Sequence, residues 1–349
     1  MIYIGEKNAR FASLISASPD IDETYTIYAG KFRRYHGQSL LAHLLDVKTN
    51  LLNARDVIYT AVGLWQSLWL VRRLRADAML CKGGFVCVPV GLSAAVWRLP
   101  FVTHDSDSIP GLANRIIGRY ATAHATGMPI DLYRYPPAKM TYTGIPLAAD
   151  YKLVDAHAQA EARLKLNIPA QAIVVLVTGG SNGAQRLNKP VADMAFGLLE
   201  DYPNLWLIHQ VGPGNGAVYS QKHSRLIVSE YFEGMHNYSA AADVVIARAG
   251  ATTIAELAIQ AKPVILVPSP YLTGGHQVIN ARYLAGKNMA CLVEESNLAA
   301  GLKPALIGLL DNPTQRHKLA SQIHKAARPS ASYAIAKLLT EAAQTKVKR

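Results

Sequence analysis

Residues 241–260, AADVVIARAGATTIAELAIQ, decide the fold that we expect for this chain. The run Val244–Ile246 is short, apolar and rich in β-branched residues, which is typical of a buried parallel strand. Small and hydroxyl residues follow it, and apolar residues then recur at helical spacing: Ile254, Leu257 and Ala258. A helix is therefore predicted to begin near Thr252 or Thr253. A strand, a tight turn and a helix form the repeating unit of a parallel α/β sheet.

The turn in this stretch suits a phosphorylated ligand. The first backbone N–H groups of a helix have no partner within the helix, and the helix dipole places about half a positive charge there. Gly250 lets the backbone approach a ligand without a side chain in the way. Glu256 lies one turn further on, where a carboxylate repels a diphosphate but accepts the hydroxyls of a ribose. An ordinary βα turn without a ligand is also compatible with these residues.

Length, charge and cysteine content narrow the class of protein. The chain has 349 residues, which is long for one ordinary core, so two domains are expected. Its net charge of +12 suits nucleic acid, anionic lipid or phosphorylated substrates, although no nucleic-acid-binding motif accompanies the charge. Cys81, Cys87 and Cys291 form no disulfide or metal pattern, which predicts a reduced setting and buried thiols.

A basic and aromatic segment lies between Lys31 and Arg75. Eight cations stand there against Asp46 and Asp56: Lys31, Arg33, Arg34, Lys48, Arg55, Arg72, Arg73 and Arg75. Large apolar residues recur beside them at helical spacing: Ile58, Val62, Trp65, Leu68 and Trp69. Such a helix suits an anionic membrane surface, and a core helix with cations in its last turn is the alternative. We expect no signal peptide and no transmembrane helix, because the apolar windows are short or interrupted.

Two further loops carry polar or small residues directly after expected strands. His104–Gly111 follows the strand Pro100–Thr103, where Asp105 and Asp107 suit a metal pair or, more commonly, turn capping. After a domain boundary near 147–151, the glycine-rich turn 178–184 follows the strand Ile173–Val177. That turn is a second candidate for a phosphate or sugar site.

Four of these segments together resemble the MurG family. They are HDSDSIPGLANR at 104–115, GGSNGA at 179–184, ARAGATTIAEL at 247–257 and GGHQVINA at 274–281. The family patterns are HEQN..PGLAN, GGSQGA, RAGALTVSEL and HQ..NA, in the same order. The resemblance covers nearly the whole chain and implies the GT-B fold, an α/β fold of two Rossmann-like domains whose parallel sheets face across a cleft.

The resemblance also implies a division of labour and an activity. It assigns residues 1–148 to the acceptor and the membrane, residues 149–328 to the UDP-sugar, and residues 329–349 to a helix that packs back toward the first domain. The family inverts configuration as it moves N-acetylglucosamine from UDP-N-acetylglucosamine to undecaprenyl-diphosphate-linked muramoyl-pentapeptide. This step of peptidoglycan synthesis takes place at the cytoplasmic face of the cell membrane, where the protein would be peripheral. We expect no metal and no cofactor.

By the same resemblance, individual residues receive roles. Ser181 would approach the donor diphosphate, and Phe232 would lie near the uracil. Glu256 would hold the ribose, and Gln277 with His276 would meet the sugar hydroxyls. The backbone that wraps the nucleotide would be Gly250, Ala251, Thr252, Thr253, Ile254 and Ala255. Asp107 stands where the family has a substrate-binding asparagine, so an amide that donates has become an acceptor.

Other departures concern the acceptor side. Ala148 stands where the family has an arginine, and Met1–Gly5 already matches the family's second strand. About 30 to 40 residues, the length of one βα unit with the family's GGTGGH loop, are therefore expected to be absent. A misassigned start, a truncation or a partner chain that supplies the loop would each explain this. The general base is unidentified, with His104 and Asp107 as weak candidates. A non-catalytic donor-binding half and a UDP-sugar 2-epimerase are the alternative functions.

Overall fold

A computed structural model describes residues 1–7, 15, 17–31 and 46–347 of the chain. They divide into two units, one of Met1–Thr143 with Ser332–Arg349 and one of Gly144–Ala331. The resemblance placed these boundaries after residues 148 and 328. Of the cations in the basic segment, Arg33 and Arg34 lie outside the described residues, as does the side chain of Lys48.

The N-terminal unit contains parallel strands joined by helices. Its elements are β1 (Ile2–Glu6), β2 (Glu23–Ile27), α1 (Val47–Leu74), β3 (Met79–Cys81), α2 (Cys87–Val96), β4 (Phe101–Asp105), α3 (Leu112–Ile117), β5 (Ala123–Thr126) and β6 (Met140–Tyr142). β1 pairs with β2, and the order β3-β4-β5-β6 forms a second sheet. Among the described residues no strand joins the two sheets. The expected absence of a first βα unit stays a prediction.

Helix α1 buries one face and leaves the large apolar residues of the expected stripe mostly exposed. Asp46 caps its start by accepting a 3.0 Å hydrogen bond from Thr49 N. The expected stripe has the exposed fractions Ile58 62%, Val62 41%, Trp65 75% and Trp69 59%, with Leu68 half-buried. These four side chains do not pack in the core, whereas Leu70 and Val71 do, and Arg72 and Arg73 lie in the last turn as the core-helix alternative expected. No helix among the described residues is both long and apolar enough to cross a bilayer.

The reason for this orientation is a close approach of two backbones. A Cβ built on Gly63 would lie 1.7 Å from the carbonyl oxygen of Tyr28, and one built on Gly30 would lie 1.9 Å from that of Asp56. Only glycine allows the chain after β2 to lie this close to α1. Ser67, Leu70 and Val71 continue the same buried face of the helix. The expected stripe is consequently turned away from the core.

The C-terminal unit is a doubly wound domain. Its elements are α4 (Ala156–Lys165), β7 (Ile173–Thr178), α5 (Gln185–Asp201), β8 (Leu205–Gln210), β9 (Leu226–Ser229), α6 (Met235–Ala241), β10 (Val244–Ala247), α7 (Ala251–Ile259), β11 (Val264–Leu266), α8 (His276–Gly286), β12 (Cys291–Leu292), α9 (Leu298–Leu310) and α10 (Pro313–His324). The chain then continues as α11 (Ala331–Val347). Through Ile335 and Ala342, α11 packs against Val102 and Ala125 of the N-terminal unit's sheet.

The six strands of the C-terminal unit are parallel and lie in the order β9-β8-β7-β10-β11-β12. Successive strands are added on one side of β7 up to β9, and on the other side from β10 onward. At such a reversal the two connecting chains diverge and leave a crevice at the carboxyl ends of the strands. The fold therefore places a ligand crevice beside the ends of β7 and β10.

A buried charge cluster ties α4 to the start of this sheet. Arg163 pairs with Asp243 at 2.6 Å, and Asp243 also accepts a 2.7 Å hydrogen bond from Val174 N. Lys262 donates to the carbonyl oxygens of Ala240 and Ala242 at 2.7 and 3.0 Å. Burial lowers the pKa of Lys262 to about 7, while the nearby Asp243 raises it. Asp243 therefore balances two buried cations.

We expect Asp243→Ala to lower the free energy of unfolding by about 3 kcal/mol, because it leaves Arg163 buried without its counter-charge. Thermal and urea unfolding of the purified variant measure the loss. Asp193→Ala is the matched control, because Asp193 forms an exposed pair with Lys189 at 3.8 Å. The control should change stability by less than about 0.5 kcal/mol. Equal losses in the two variants would contradict the buried-pair argument.

Candidate functional site

The crevice beside β7 and β10 is a pocket of about 570 Å³. It is lined by Tyr151, Leu176, Thr178, Gly180, Ser181, Gln210, Tyr231, Phe232, Gly234, Met235, His236, Ser239, Val245, Thr252, Thr253, Glu256 and Leu257. Five of the residues expected from the sequence share this lining, namely Ser181, Phe232, Thr252, Thr253 and Glu256. A volume of this size suits a small organic ligand.

The glycine-rich turn after β7 forms one wall. Gly180 and Gly183 have φ values of +80° and +71°, which few residues other than glycine adopt. Gln210 Nε2 donates a 3.0 Å hydrogen bond to the carbonyl oxygen of Gly180, and Gln210 Oε1 accepts one of 3.1 Å from Phe232 N. The Gln210 amide therefore fixes both the turn that presents Ser181 and the backbone of Phe232. No sequence pattern marks Gln210, which is simply the last residue of β8.

The N-terminus of α7 forms a second wall beside this turn. The helix begins at Ala251 with Gly250 as its N-cap, slightly earlier than expected. Thr252 and Thr253 line the pocket, whereas Ala251 and Ile254 are buried in the core. Ala255 is half-buried and outside the lining. Side chains of the first turn and the free N–H groups of that turn therefore face the crevice together.

Glu256 lies in the same wall in an environment that disfavours its charge. Burial raises the pKa of Glu256 to about 7, and a hydrogen bond from the Tyr151 hydroxyl opposes this rise. The ring of Tyr151 lies edge-on to His236 with centroids 6.0 Å apart. Nothing in the sequence distinguishes Tyr151, which stands in an irregular segment. Only the folded chain brings it to Glu256.

The apolar end of the pocket is formed around Phe232. Its ring stacks on Tyr238 with centroids 4.2 Å apart, and only 6% of the residue is exposed. Tyr231 and Met235 continue the lining beside it. An apolar ring and the α7 N-terminus in one pocket can accept a planar base and an anionic group on the same ligand.

Helix α8 supports the turn after β10 from behind. Gln277 Oε1 accepts a 3.0 Å hydrogen bond from Ser269 N, and its Nε2 would lie 3.9 Å from a Cβ built on Gly250. Asn280 Nδ2 donates to the carbonyl oxygen of Ala249 at 3.1 Å. Neither His276, which is half-buried, nor Gln277 belongs to the pocket lining. Gln277 therefore lies beside the turn, with its amide nitrogen toward Gly250.

The described lining of the pocket contains neither lysine nor arginine. Arg248, directly after β10, is 8% exposed and pairs with Glu295 at 2.5 Å while donating to the carbonyl oxygen of Val267 at 3.0 Å. Its positive charge is therefore neutralised by Glu295 inside the unit. An anion in the pocket would consequently depend on the backbone N–H groups and dipole of α7.

In the polar loop 104–111 of the N-terminal unit, the carboxylate of Asp105 is held by hydrogen bonds. Asp105 accepts hydrogen bonds from Asn114 Nδ2 at 2.9 Å and from the Tyr135 hydroxyl at 2.9 Å. Burial raises the pKa of this carboxyl. His104 is fully buried within β4, and Asp107 is half-buried, with its carbonyl oxygen accepting from the Tyr133 hydroxyl at 2.8 Å. His104 is thus enclosed in the sheet, and the Asp105 carboxylate is engaged by its neighbours.

Comparison with known proteins gives a consistent result. Residues 3–126 match the N-terminal domain of glycosyltransferase family 28, and residues 174–338 match its C-terminal domain. A protein of Desulforudis audaxviator, 34% identical over 274 residues, covers 75% of this chain and 72% of its own length. It is named UDP-N-acetylglucosamine–N-acetylmuramyl-(pentapeptide) pyrophosphoryl-undecaprenol N-acetylglucosamine transferase. The protein of that name from Desulfotalea psychrophila is 33% identical over 291 residues, which are 82% of this chain and 77% of that protein.

A solved structure agrees in fold. Acinetobacter baumannii MurG matches with a TM-score of 0.70 at 21% identity, covering 97% of this chain and 90% of that chain. The two family models and the named relatives identify the chain as a glycosyltransferase, and its fold is GT-B. Within that class, the chain belongs to the MurG family, as the resemblance of its four loops predicted.

The glycine-rich turn allows a matched stability test. A Cβ on Gly183 would lie 2.3 Å from the carbonyl oxygen of Val211, whereas one on Gly180 would meet nothing within 4 Å. Both positions have positive φ, so alanine at either should cost about 1–2 kcal/mol. We expect Gly183→Ala to lose a further 1–3 kcal/mol or so through the clash. Urea unfolding compares the two, and equal losses would show that the clash is relieved by a small shift.

Proposed function

We propose that this protein transfers N-acetylglucosamine from UDP-N-acetylglucosamine to undecaprenyl-diphosphate-linked muramoyl-pentapeptide in peptidoglycan synthesis. The observation that carries the proposal is the pocket at the strand reversal, whose lining brings together the first turn of α7, Glu256 and Phe232. The α7 N-terminus suits a diphosphate, Glu256 suits a ribose, and Phe232 suits a uracil. The names of the two transferases that the chain resembles support the same donor and acceptor.

The donor would lie along the pocket with its diphosphate at the first turn of α7. Free N–H groups there, together with the hydroxyls of Thr252 and Thr253, can donate to phosphate oxygens. Ser181 would reach the diphosphate from the opposite turn, and Phe232 would contact the uracil. Gln277, whose Oε1 is taken by Ser269 N, keeps its amide nitrogen to donate toward the sugar, with His276 at the start of the same helix.

Transfer would follow a direct displacement with inversion. An acceptor hydroxyl oxygen attacks the anomeric carbon, its bond to the sugar forms, and the bond from that carbon to the diphosphate oxygen breaks. The electron pair leaves on UDP, whose added negative charge develops at the α7 N-terminus. Donors already aimed at that position stabilise the charge more in the transition state than in the ground state. The hydroxyl proton passes to a general base that stays unassigned: of the two weak candidates, His104 is fully buried and Asp107 is half-buried.

We expect Glu256→Gln to weaken UDP binding, because a neutral amide accepts ribose hydroxyls less well than a carboxylate. A hydrogen bond to a charged group contributes about 1.5–3 kcal/mol, so the Kd for UDP should rise by about one to two orders of magnitude. Calorimetric titration measures the change. Glu161→Gln, at an exposed position on α4, is the control and should bind UDP as the wild type does. Equal affinities for wild type and Glu256→Gln would refute the ribose assignment.

The catalytic part of the proposal has its own assay. Transfer of labelled N-acetylglucosamine to a lipid I analogue separates a transferase from a donor-binding protein without activity. UDP binding without transfer would favour the second reading. That the family's first βα unit and its glycine-rich loop are missing stays a prediction of the resemblance, and an assay with and without a fused family βα unit carrying that loop would test it.

We further propose that the N-terminal unit binds the anionic membrane surface from the cytoplasmic side. The exposed stripe of α1, formed by Ile58, Val62, Trp65 and Trp69, supports this. Arg73 lies over the Trp69 ring at 5.0 Å, and Arg72 lies over the ring of Trp97 at 4.6 Å. Tryptophan beside arginine suits the headgroup region, where the ring meets acyl chains and the cation meets phosphate. The protein would then meet the lipid-linked acceptor at the surface of the membrane that contains it.

We expect Trp65→Ser with Trp69→Ser to reduce binding to vesicles that contain anionic lipid, because both exposed rings are lost from the stripe. Wild-type binding should weaken with salt, since each surface cation contributes about 1 kcal/mol that ions screen. Vesicle flotation at low and high salt measures both effects. Tyr333→Ser, an exposed aromatic residue on α11, is the control and should bind normally. Binding that ignores lipid charge and salt would count against this surface.

A further inference from the structure

Tyr151 makes an unexpected contact in the nucleotide pocket. It lies between the start of the C-terminal unit at Gly144 and helix α4, in a segment without regular structure. Its hydroxyl donates a hydrogen bond to the Glu256 carboxylate, and its ring lies edge-on to His236. The residue is half-buried and belongs to the pocket lining. A side chain from outside the sheet thus contacts Glu256, the one carboxylate in the described lining of the pocket.

The surroundings of Glu256 make this contact matter. The titratable groups that line the pocket with it are Tyr151, Tyr231 and His236, and the described lining has no lysine or arginine to stabilise a carboxylate. Among the described residues, the Tyr151 hydroxyl supplies the hydrogen bond that opposes the burial of Glu256. A carboxylate has about four acceptor positions on two oxygens, so one bond from Tyr151 leaves room for two ribose hydroxyls.

We propose that Tyr151 is a positioning residue of the nucleotide site, which holds the Glu256 carboxylate toward the ribose diol and closes the pocket beside His236. The inference rests on the proposed nucleotide site. Tyr151 acts through Glu256 and needs no contact with the reacting atoms. Its hydroxyl favours the ionised form of the carboxylate and orients it, and its ring excludes water from that end of the pocket.

The first test uses the protein without nucleotide. Carboxyl-¹³C NMR of glutamate-labelled protein, with the Glu256 signal assigned from Glu256→Gln, follows the titration of this one group. Because Tyr151→Phe removes the donated hydrogen bond and keeps the ring, the pKa of Glu256 should rise above its wild-type value. Tyr202→Phe is the matched control, because the Tyr202 hydroxyl donates to Asp311 at 2.9 Å in the same unit. It should leave the Glu256 titration unchanged.

The second test measures UDP affinity between pH 6 and 8.5 for the same proteins. Wild-type affinity should increase as pH rises through about 7, where Glu256 becomes ionised. In Tyr151→Phe this increase should move to higher pH, with about tenfold weaker binding near pH 7 that largely recovers at pH 8.5. The phosphate of UDP titrates equally in every experiment, so only differences between proteins count. Tyr151→Ala, which also lacks the ring, should stay weaker at pH 8.5.

The outcomes separate the two proposals. An unchanged Glu256 titration in Tyr151→Phe, or a shifted titration with an unshifted UDP profile, overturns the positioning role while the nucleotide site stands. Tighter UDP binding by Tyr151→Phe at every pH overturns it as well, because Tyr151 would then compete with the ribose. A wild-type protein that binds no UDP overturns the proposed function, and the positioning role with it.

Discussion

The parallel pairing of β7 with β10 is the interaction on which the C-terminal unit depends. Its register places Thr178 beside Ala247, so both strands end at the same level of the sheet. The glycine-rich turn and the N-terminus of α7 therefore begin side by side and then diverge, because the strands added after each lie on opposite sides. The strand order creates the crevice, and the side chains that line it determine which ligand it binds.

What the sequence could predict follows from which features are local. The β-branched run of β10 and the apolar spacing of α7 each reflect burial of one element, so both were placed within a residue or two. Tyr151 and Gln210 act through contacts with distant segments, and no local pattern marks such residues. Helix α1 was predicted as a helix, but its buried face was not, since Gly63 and Tyr28 approach closely only in the folded chain.

The distribution of charge shows the same limit. A net charge of +12 suggested phosphorylated or anionic partners, yet the lining of the candidate nucleotide pocket in the described chain has no lysine or arginine. Arg248 and Lys262 lie close in sequence to the pocket residues of α7, but both are buried in contacts that hold the unit together. The exposed Arg72 and Arg73 lie on α1 beside tryptophans. Net charge thus describes a whole surface, whereas an anion site can depend on backbone groups that a residue count does not include.

The lining of the pocket is drawn from segments far apart along the chain, from Tyr151 before the first strand of the unit to Leu257 after the fourth of its six strands. Contacts of such high sequence separation form late in folding, because the loops between them must close first. A chain emerging from the ribosome would therefore have to complete most of this unit before any part of the crevice could hold a ligand. Only a chain whose C-terminal unit has folded would then bind the sugar nucleotide. Partly folded chains would not compete for it.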